Sequence, residues 1–140
     1  MAEFTNTAIT EVAANQYVPL TETAVKGNAC IIHREGAGIV SLRGATQQCR
    51  ALYRVSFGAN IAVPEGGAVE AITAALAVDG EALLSATATV TPAAVENYFN
   101  IFVSAIVSVP RGCCVTVAAK NTSTQAINFA NSNMTVDRIS

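Results

Sequence analysis

Charged residues are scarce in this sequence. Asp, Glu, Lys and Arg make up 13% of its 140 residues, about half the usual share. A lone monomer of this size needs more charge on its surface, so the shortage implies that partner subunits cover part of it. Eight basic residues stand against ten acidic ones, for a net charge of −2. No basic run supplies phosphate contacts, which excludes a nucleic-acid footprint. No apolar stretch reaches the roughly 18 residues of a membrane span. Residues 1–10 lack the basic-then-apolar order of a signal peptide, which implies synthesis in the cytoplasm and, if the chain is exported, another route out.

Tryptophan is absent, and histidine occurs once, at His33. A single His makes a triad only where a nucleophile and a carboxylate converge on it. Cys30 lies three residues earlier and would face the opposite side of a shared strand, which argues against a Cys-His pair. A structural His33 is the expectation, and no catalytic residue is assigned. The carboxylates form no calcium loop. Glu65, Glu70, Asp79, Glu81 and Glu96 fall in or near turns. A rim site and plain solvation are the two readings, and solvation is the expected one. Gly36-Ala37-Gly38 and Gly66-Gly67 lack the following helix of a phosphate cradle, so they read as hairpin glycines. No metal or cofactor is expected.

Only four cysteines occur, at Cys30, Cys49, Cys113 and Cys114. Their spacing matches neither paired zinc ligands nor a redox C-x-x-C. Cys113 and Cys114 are adjacent on a predicted strand and would point to opposite faces. Small buried thiols in a reducing compartment are the expectation. A Cys30–Cys49 bridge across neighbouring strands is the alternative, relevant only under oxidising conditions.

What the chain does have is a long β-run at 98–109, YFNIFVSAIVSV. Phe99, Ile101, Val103, Ala105, Val107 and Val109 form one wholly apolar row at period two. Tyr98, Asn100, Phe102, Ser104, Ile106 and Ser108 form the other, too apolar for open water and too polar for a core. This predicts a central strand whose inner face fills a sandwich and whose outer face meets another subunit. A second core layer within one chain is the alternative.

Around this run the chain reads as β throughout. Residues 1–14 are short and mixed, an arm that docks elsewhere or a first edge strand. Pro19 places residues 16–22 on an edge or beside a bulge. Residues 30–33 and 39–42 flank two glycines and predict a hairpin. Residues 52–63 alternate most clearly: Tyr53, Val55, Phe57, Ala59, Ile61 and Val63 face the core, and Gly58 marks a bulge or bend. Residues 68–78 could form a helix by propensity. Asp79-Gly80, however, signals a hairpin with Ile72, Ala74, Leu76 and Val78 on one arm and Leu84, Ala86, Ala88 and Val90 on the other. Residues 113–120, 127–129 and 134–139 finish the chain in strands. About nine short strands with regular turns and no firm helix predict an all-β sandwich. Jelly-roll topology is favoured, with an immunoglobulin-like order second. The expected division is an arm at 1–14 and one domain at 15–140.

Residues 51–139 resemble the C1q/TNF-like jelly rolls of bacterial and phage surface proteins, including the C-terminal domains of exosporium collagen-like glycoproteins. The matching features are LYRVSFGANIAV, the Val78-Asp79-Gly80-Glu81 turn, the long apolar strand, VPRGCCVTVAAKNTS, and the closing Met134-Thr135-Val136-Asp137-Arg138-Ile139. No Gly-X-Y collagen stalk precedes them. The resemblance implies a homotrimer and a phage structural role, as capsid decoration or head-fibre tip, with 1–14 as the attachment arm. On this reading Tyr98, Phe102 and Ile106 line the trimer interface, and the protein is a non-enzyme that resides on the virion. A carbohydrate- or receptor-binding module at a fibre tip, or on a bacterial or spore surface, is the alternative.

Overall fold

The computed structural model describes residues 1–27, 30–45 and 49–139. It holds eleven strands, two more than the sequence suggested, and no helix among the described residues is long and apolar enough to cross a membrane. One sheet runs β3 (Glu22–Val25), β1 (Ala2–Asn6), β11 (Ile127–Arg138), β6 (Arg50–Ala62), β9 (Phe99–Pro110), with β2 (Thr10–Val12) continuing beside β11 beyond β1. The other runs β4 (Ile31–His33), β5 (Ile39–Arg43), β10 (Cys114–Asn121), β7 (Ile72–Val78), β8 (Glu81–Val90). The two antiparallel sheets stack as a jelly-roll sandwich, the all-β architecture that the alternating runs predict.

The core forms where the two inner rows meet. Tyr53, Phe57, Ile61, Ile127, Phe129 and Met134 of the first sheet are fully buried, as are Leu42, Val40, Ile72 and Leu76 of the second. The inward row of β6 is the row read from sequence. Gly58 sits in an unbroken β6–β9 ladder opposite Phe102, and the bulge near it lies on the partner strand, between Ala130 and Asn133 of β11.

Two placements differ from expectation. Residues 1–14 do not form a detached arm. β1 pairs with both β11 and β3, and Ala2, Phe4, Asn6 and Val12 are buried. A five-residue strand is too short to show periodicity, so its pairing could not be read locally. The strand expected to be central, β9, lies instead at the edge of its sheet, paired among the described residues with β6 alone. Alternation reports which side chains face the core and is silent on how many neighbours a strand has.

The β7–β8 hairpin forms through Asp79 (φ 51°) and Gly80 (φ 86°), both left-handed, as a primed two-residue turn requires. Asp79 fastens this turn to β10. Its Oδ1 accepts from the Thr116 N–H at 3.0 Å, and its own N–H donates to the Thr116 carbonyl at 2.9 Å. Gly80→Val is expected to cost about 1 kcal/mol or more, because a β-branched residue resists that φ. Urea unfolding at fixed protein concentration checks it, and an unchanged midpoint would sink the argument.

The same hairpin carries a large bulge. Leu76 alone on β7 faces residues 83–86 of β8, and the Thr87 hydroxyl donates to the Leu83 carbonyl at 2.7 Å. Leu84, grouped with Ala86 in one alternating row from the sequence, is therefore 93% exposed while Ala86 stays buried. A slip of the ladder exchanges the two faces of a strand, and the period-two reading broke at that point.

Candidate functional site

The candidate interface is the outer row of β9. Phe102 and Ile106, four residues apart on one face, are 68% and 59% exposed. Asn100, Ser104 and Ser108 between and beside them are also exposed, so no second core layer covers this row within one chain. The Phe102 ring lies over Gly58, where an added Cβ would stand 3.7 Å from its Cδ2. On β6 the opposing residues are Leu52, Arg54, Ser56, Gly58 and Asn60, and the Ser56 and Ser104 hydroxyls bond at 3.1 Å. Phe99–Pro110 contains no charged residue. Native edge strands are normally protected by charges, prolines or bulges, since their unpaired backbone groups template aggregation.

Tyr98, grouped with Phe102 and Ile106 from sequence, precedes β9 and is half-buried. Together with Thr7, Ile9, Asn60, Ala130 and Asn131 it lines a hollow of about 370 Å³. A row of amides crosses three strands there. Asn100 Nδ2 donates to Asn60 Oδ1 at 3.1 Å, and Asn60 Nδ2 donates to Asn131 Oδ1 at 3.3 Å. Asn131 holds a left-handed φ of 53° in the β11 bulge. No described side chain lining this hollow is charged.

A larger hollow of about 590 Å³ lies between Phe4, Thr23, Lys26, Gly27, Ile31, Ile32, His33 and Glu35. His33 Nε2 donates to the Ala37 carbonyl at 2.9 Å and its ring packs on Phe4 with centroids 4.4 Å apart. Its Nδ1 is buried without a hydrogen-bond partner among the described residues. This is a histidine that braces the β4–β5 hairpin against β1, with no nucleophile or carboxylate among the described residues bonded to it. Cys30 lies by Arg138 instead, its Sγ 4.0 Å from Arg138 Nη1.

The turn carboxylates do not converge. Asp79 and Glu81 lie at the closed end of the β7–β8 hairpin, whereas Glu65, Glu70 and Glu96 lie on loops at its open end. No cluster among the described residues could hold a metal ion.

The cysteines overturn their expectation. Cys49, Cys113 and Cys114 are exposed thiols and Cys30 is half-buried; Cys49 carries no disulfide, so the alternative Cys30–Cys49 bridge is not formed. They occupy loop positions or strand ends, where no sheet face is available to bury them. Beside them Tyr53 is buried, and its hydroxyl donates to the Arg43 carbonyl at 2.8 Å. Burial pushes the Tyr53 phenol above its ordinary pKa, and neighbouring Cys30 adds to the rise while Arg138 opposes it.

No family model and no curated protein matches the chain. Solved structures do. The globular domain of zebrafish complement 1qA protein superposes with a TM-score of 0.62 at 8% identity, covering 99% of this chain and 96% of that one. PRD1 vertex protein P5 superposes with a TM-score of 0.53 at 12% identity, again covering 99% and 96%. The two sheets are thus a C1q-like jelly roll, in agreement with the expectation from the sequence.

Proposed function

We propose that this chain is a non-enzymatic structural protein that assembles as a homotrimer through the outer row of β9, on the surface of a virion. The observation that carries the reading is a 12-residue edge strand without charge that holds Phe102 and Ile106 out to solvent. An uncharged edge with exposed apolar side chains is an aggregation liability, and covering it is one way proteins remove that liability. A second copy covers it with matched apolar surface, and the low overall charge fits a chain whose surface is shared. The trimeric state and the virion follow from the family resemblance, which also allows a bacterial or spore surface. Attachment through the N-terminal stretch narrows to residues 7–9, the exposed connection between β1 and β2, where Ile9 is 65% exposed. Light scattering on the purified chain tests the assembly: three times the chain mass is expected, and a monomer would overturn it.

A second reading, a carbohydrate- or receptor-binding module, is favoured by the uncharged amide row and Tyr98 around the smaller hollow. Aromatic faces and planar amides suit neutral hydroxylated ligands. Titration with neutral saccharides tests it, and absence of binding at millimolar concentration would remove it.

A further inference from the structure

The four cysteines come from three separate stretches of sequence, and the fold gathers them at one end of the sandwich. The Arg43 N–H donates to the Cys30 carbonyl at 2.9 Å, the Gly44 N–H to the Cys113 carbonyl at 2.9 Å, and the Arg111 N–H to the Cys49 carbonyl at 3.0 Å. Cys113 and Cys114 share a groove of about 270 Å³ with Arg43, Gly44, Ala45 and Gly112. Three exposed thiols at one end are unusual for a protein surface, which ordinarily avoids free cysteine. Their position relative to β9 gives them a use. β9 carries Phe102 and Ile106 outward and ends at Pro110, in register with Arg50 beside Cys49 and three residues before Cys113.

We infer that Cys49, Cys113 and Cys114 form an oxidation site that joins copies of this chain by interchain disulfides once they have assembled. The inference rests on the trimer reading above. In a closed ring each copy presents the same end at the same pole, so the exposed thiols of all copies lie together at one end of the assembly. The oxidant is a low-molecular-weight disulfide of the glutathione class. A thiol of one copy, its proton lost to solvent, attacks that reagent's S–S bond and releases one small thiolate, leaving a mixed disulfide. A deprotonated thiol of the neighbouring copy then displaces the second small thiolate and closes the interchain S–S bond. Two protein thiols are oxidised, one small disulfide is reduced to two thiols, and the departing thiolates take up the two protons. Arg43, Arg50 and Arg111 are exposed around these thiols and attract an anionic reagent. Thiols stay reduced in a reducing cytoplasm and are oxidised outside it, so the staple follows assembly.

The full chain is incubated with oxidised glutathione, blocked with a maleimide, and run on non-reducing denaturing gels, with native mass measured on the untreated sample. Bands at two and three times the chain mass are expected, abolished by dithiothreitol and by the triple variant Cys49→Ser/Cys113→Ser/Cys114→Ser. Cys30→Ser should retain them, and monomeric Phe102→Asp should form at least tenfold less at equal concentration. A native trimer giving only the single-chain band overturns the staple and leaves the trimer standing. A native monomer removes the trimer and the staple with it. Crosslinks that persist in the triple variant, or form equally in Phe102→Asp, overturn the site.

Discussion

Asn121→Leu is expected to destabilise the fold by about 3–5 kcal/mol, measured as a fall in the urea midpoint at fixed protein concentration. Asn121 is fully buried at the end of β10. Its Nδ2 donates to the Val12 carbonyl at 2.9 Å and to the Gln125 carbonyl at 3.0 Å, and its Oδ1 accepts from the Ser123 N–H at 2.9 Å. The backbone continues the pattern, with N–H to the Gln16 carbonyl at 2.9 Å and carbonyl from the Asn15 N–H at 2.8 Å. Ser123 extends the network to β7: its hydroxyl donates to the Thr73 carbonyl at 2.9 Å and accepts from the Thr73 N–H at 2.8 Å. One side chain thus ties together β2, β10 and the loop before β11, across both sheets. Leucine matches asparagine in shape but offers no hydrogen bond, so two carbonyls and one N–H lose buried partners. Each buried polar group left unpaired costs about 1–3 kcal/mol, and partial relaxation keeps the total below the sum. Amide exchange should quicken first in β2, which has only three residues to hold it. A midpoint shift worth less than about 1 kcal/mol would mean that water replaces the lost bonds and the hub is not structural.

Asn121 was not legible in the sequence, where it opens a polar NTSTQ turn like any other. Its importance comes from partners at positions 12 and 125, and a single sequence does not show such a pairing. The parts that were legible are those written in nearest-neighbour chemistry. Alternation in β6 gave its core row because every second residue is apolar over its whole length, and Asp79-Gly80 gave its turn because two left-handed residues select that pair. Legibility failed where tertiary pairing overrides local pattern. β1 needed β11 to exist as a strand, residues 83–86 left the ladder to form a bulge, and β9 became an edge. The cysteines followed the same rule, since a thiol's burial depends on whether its residue falls on a sheet face or at its end. Of the candidate interface, Phe102 and Ile106 were legible as an apolar pair on the wrong face for a core. The hollow that Tyr98 shares with Thr7 and Ile9 was not, because it joins stretches far apart in the chain.

For the trimer proposed above, Phe102→Asp is expected to reduce the assembly to single chains, with light scattering falling to one third of the trimer mass. The size of the effect follows from the burial that assembly would give this ring. Phe102 is 68% exposed in the isolated chain, so covering it contributes about 1.5–2 kcal/mol per copy from apolar area. Aspartate removes that gain and also brings a carboxylate to a surface where desolvating an unpaired charge costs several kcal/mol. Arg54 is its nearest basic candidate on the facing strand, but the register sets Arg54 opposite Ile106, four residues away along β9. A change of about 4 kcal/mol per contact is close to a thousandfold in the dissociation constant, and a trimer contains three such contacts. The fold of the single chain should survive, because a side chain mostly in water contributes little to it. Far-UV circular dichroism should keep its β signature. Phe102→Leu should remain trimeric, because it shortens the side chain without adding charge. An aspartate variant of unchanged mass would take Phe102 out of the interface, and an aspartate variant that unfolds would show that the ring over Gly58 stabilises β6–β9 pairing within one chain.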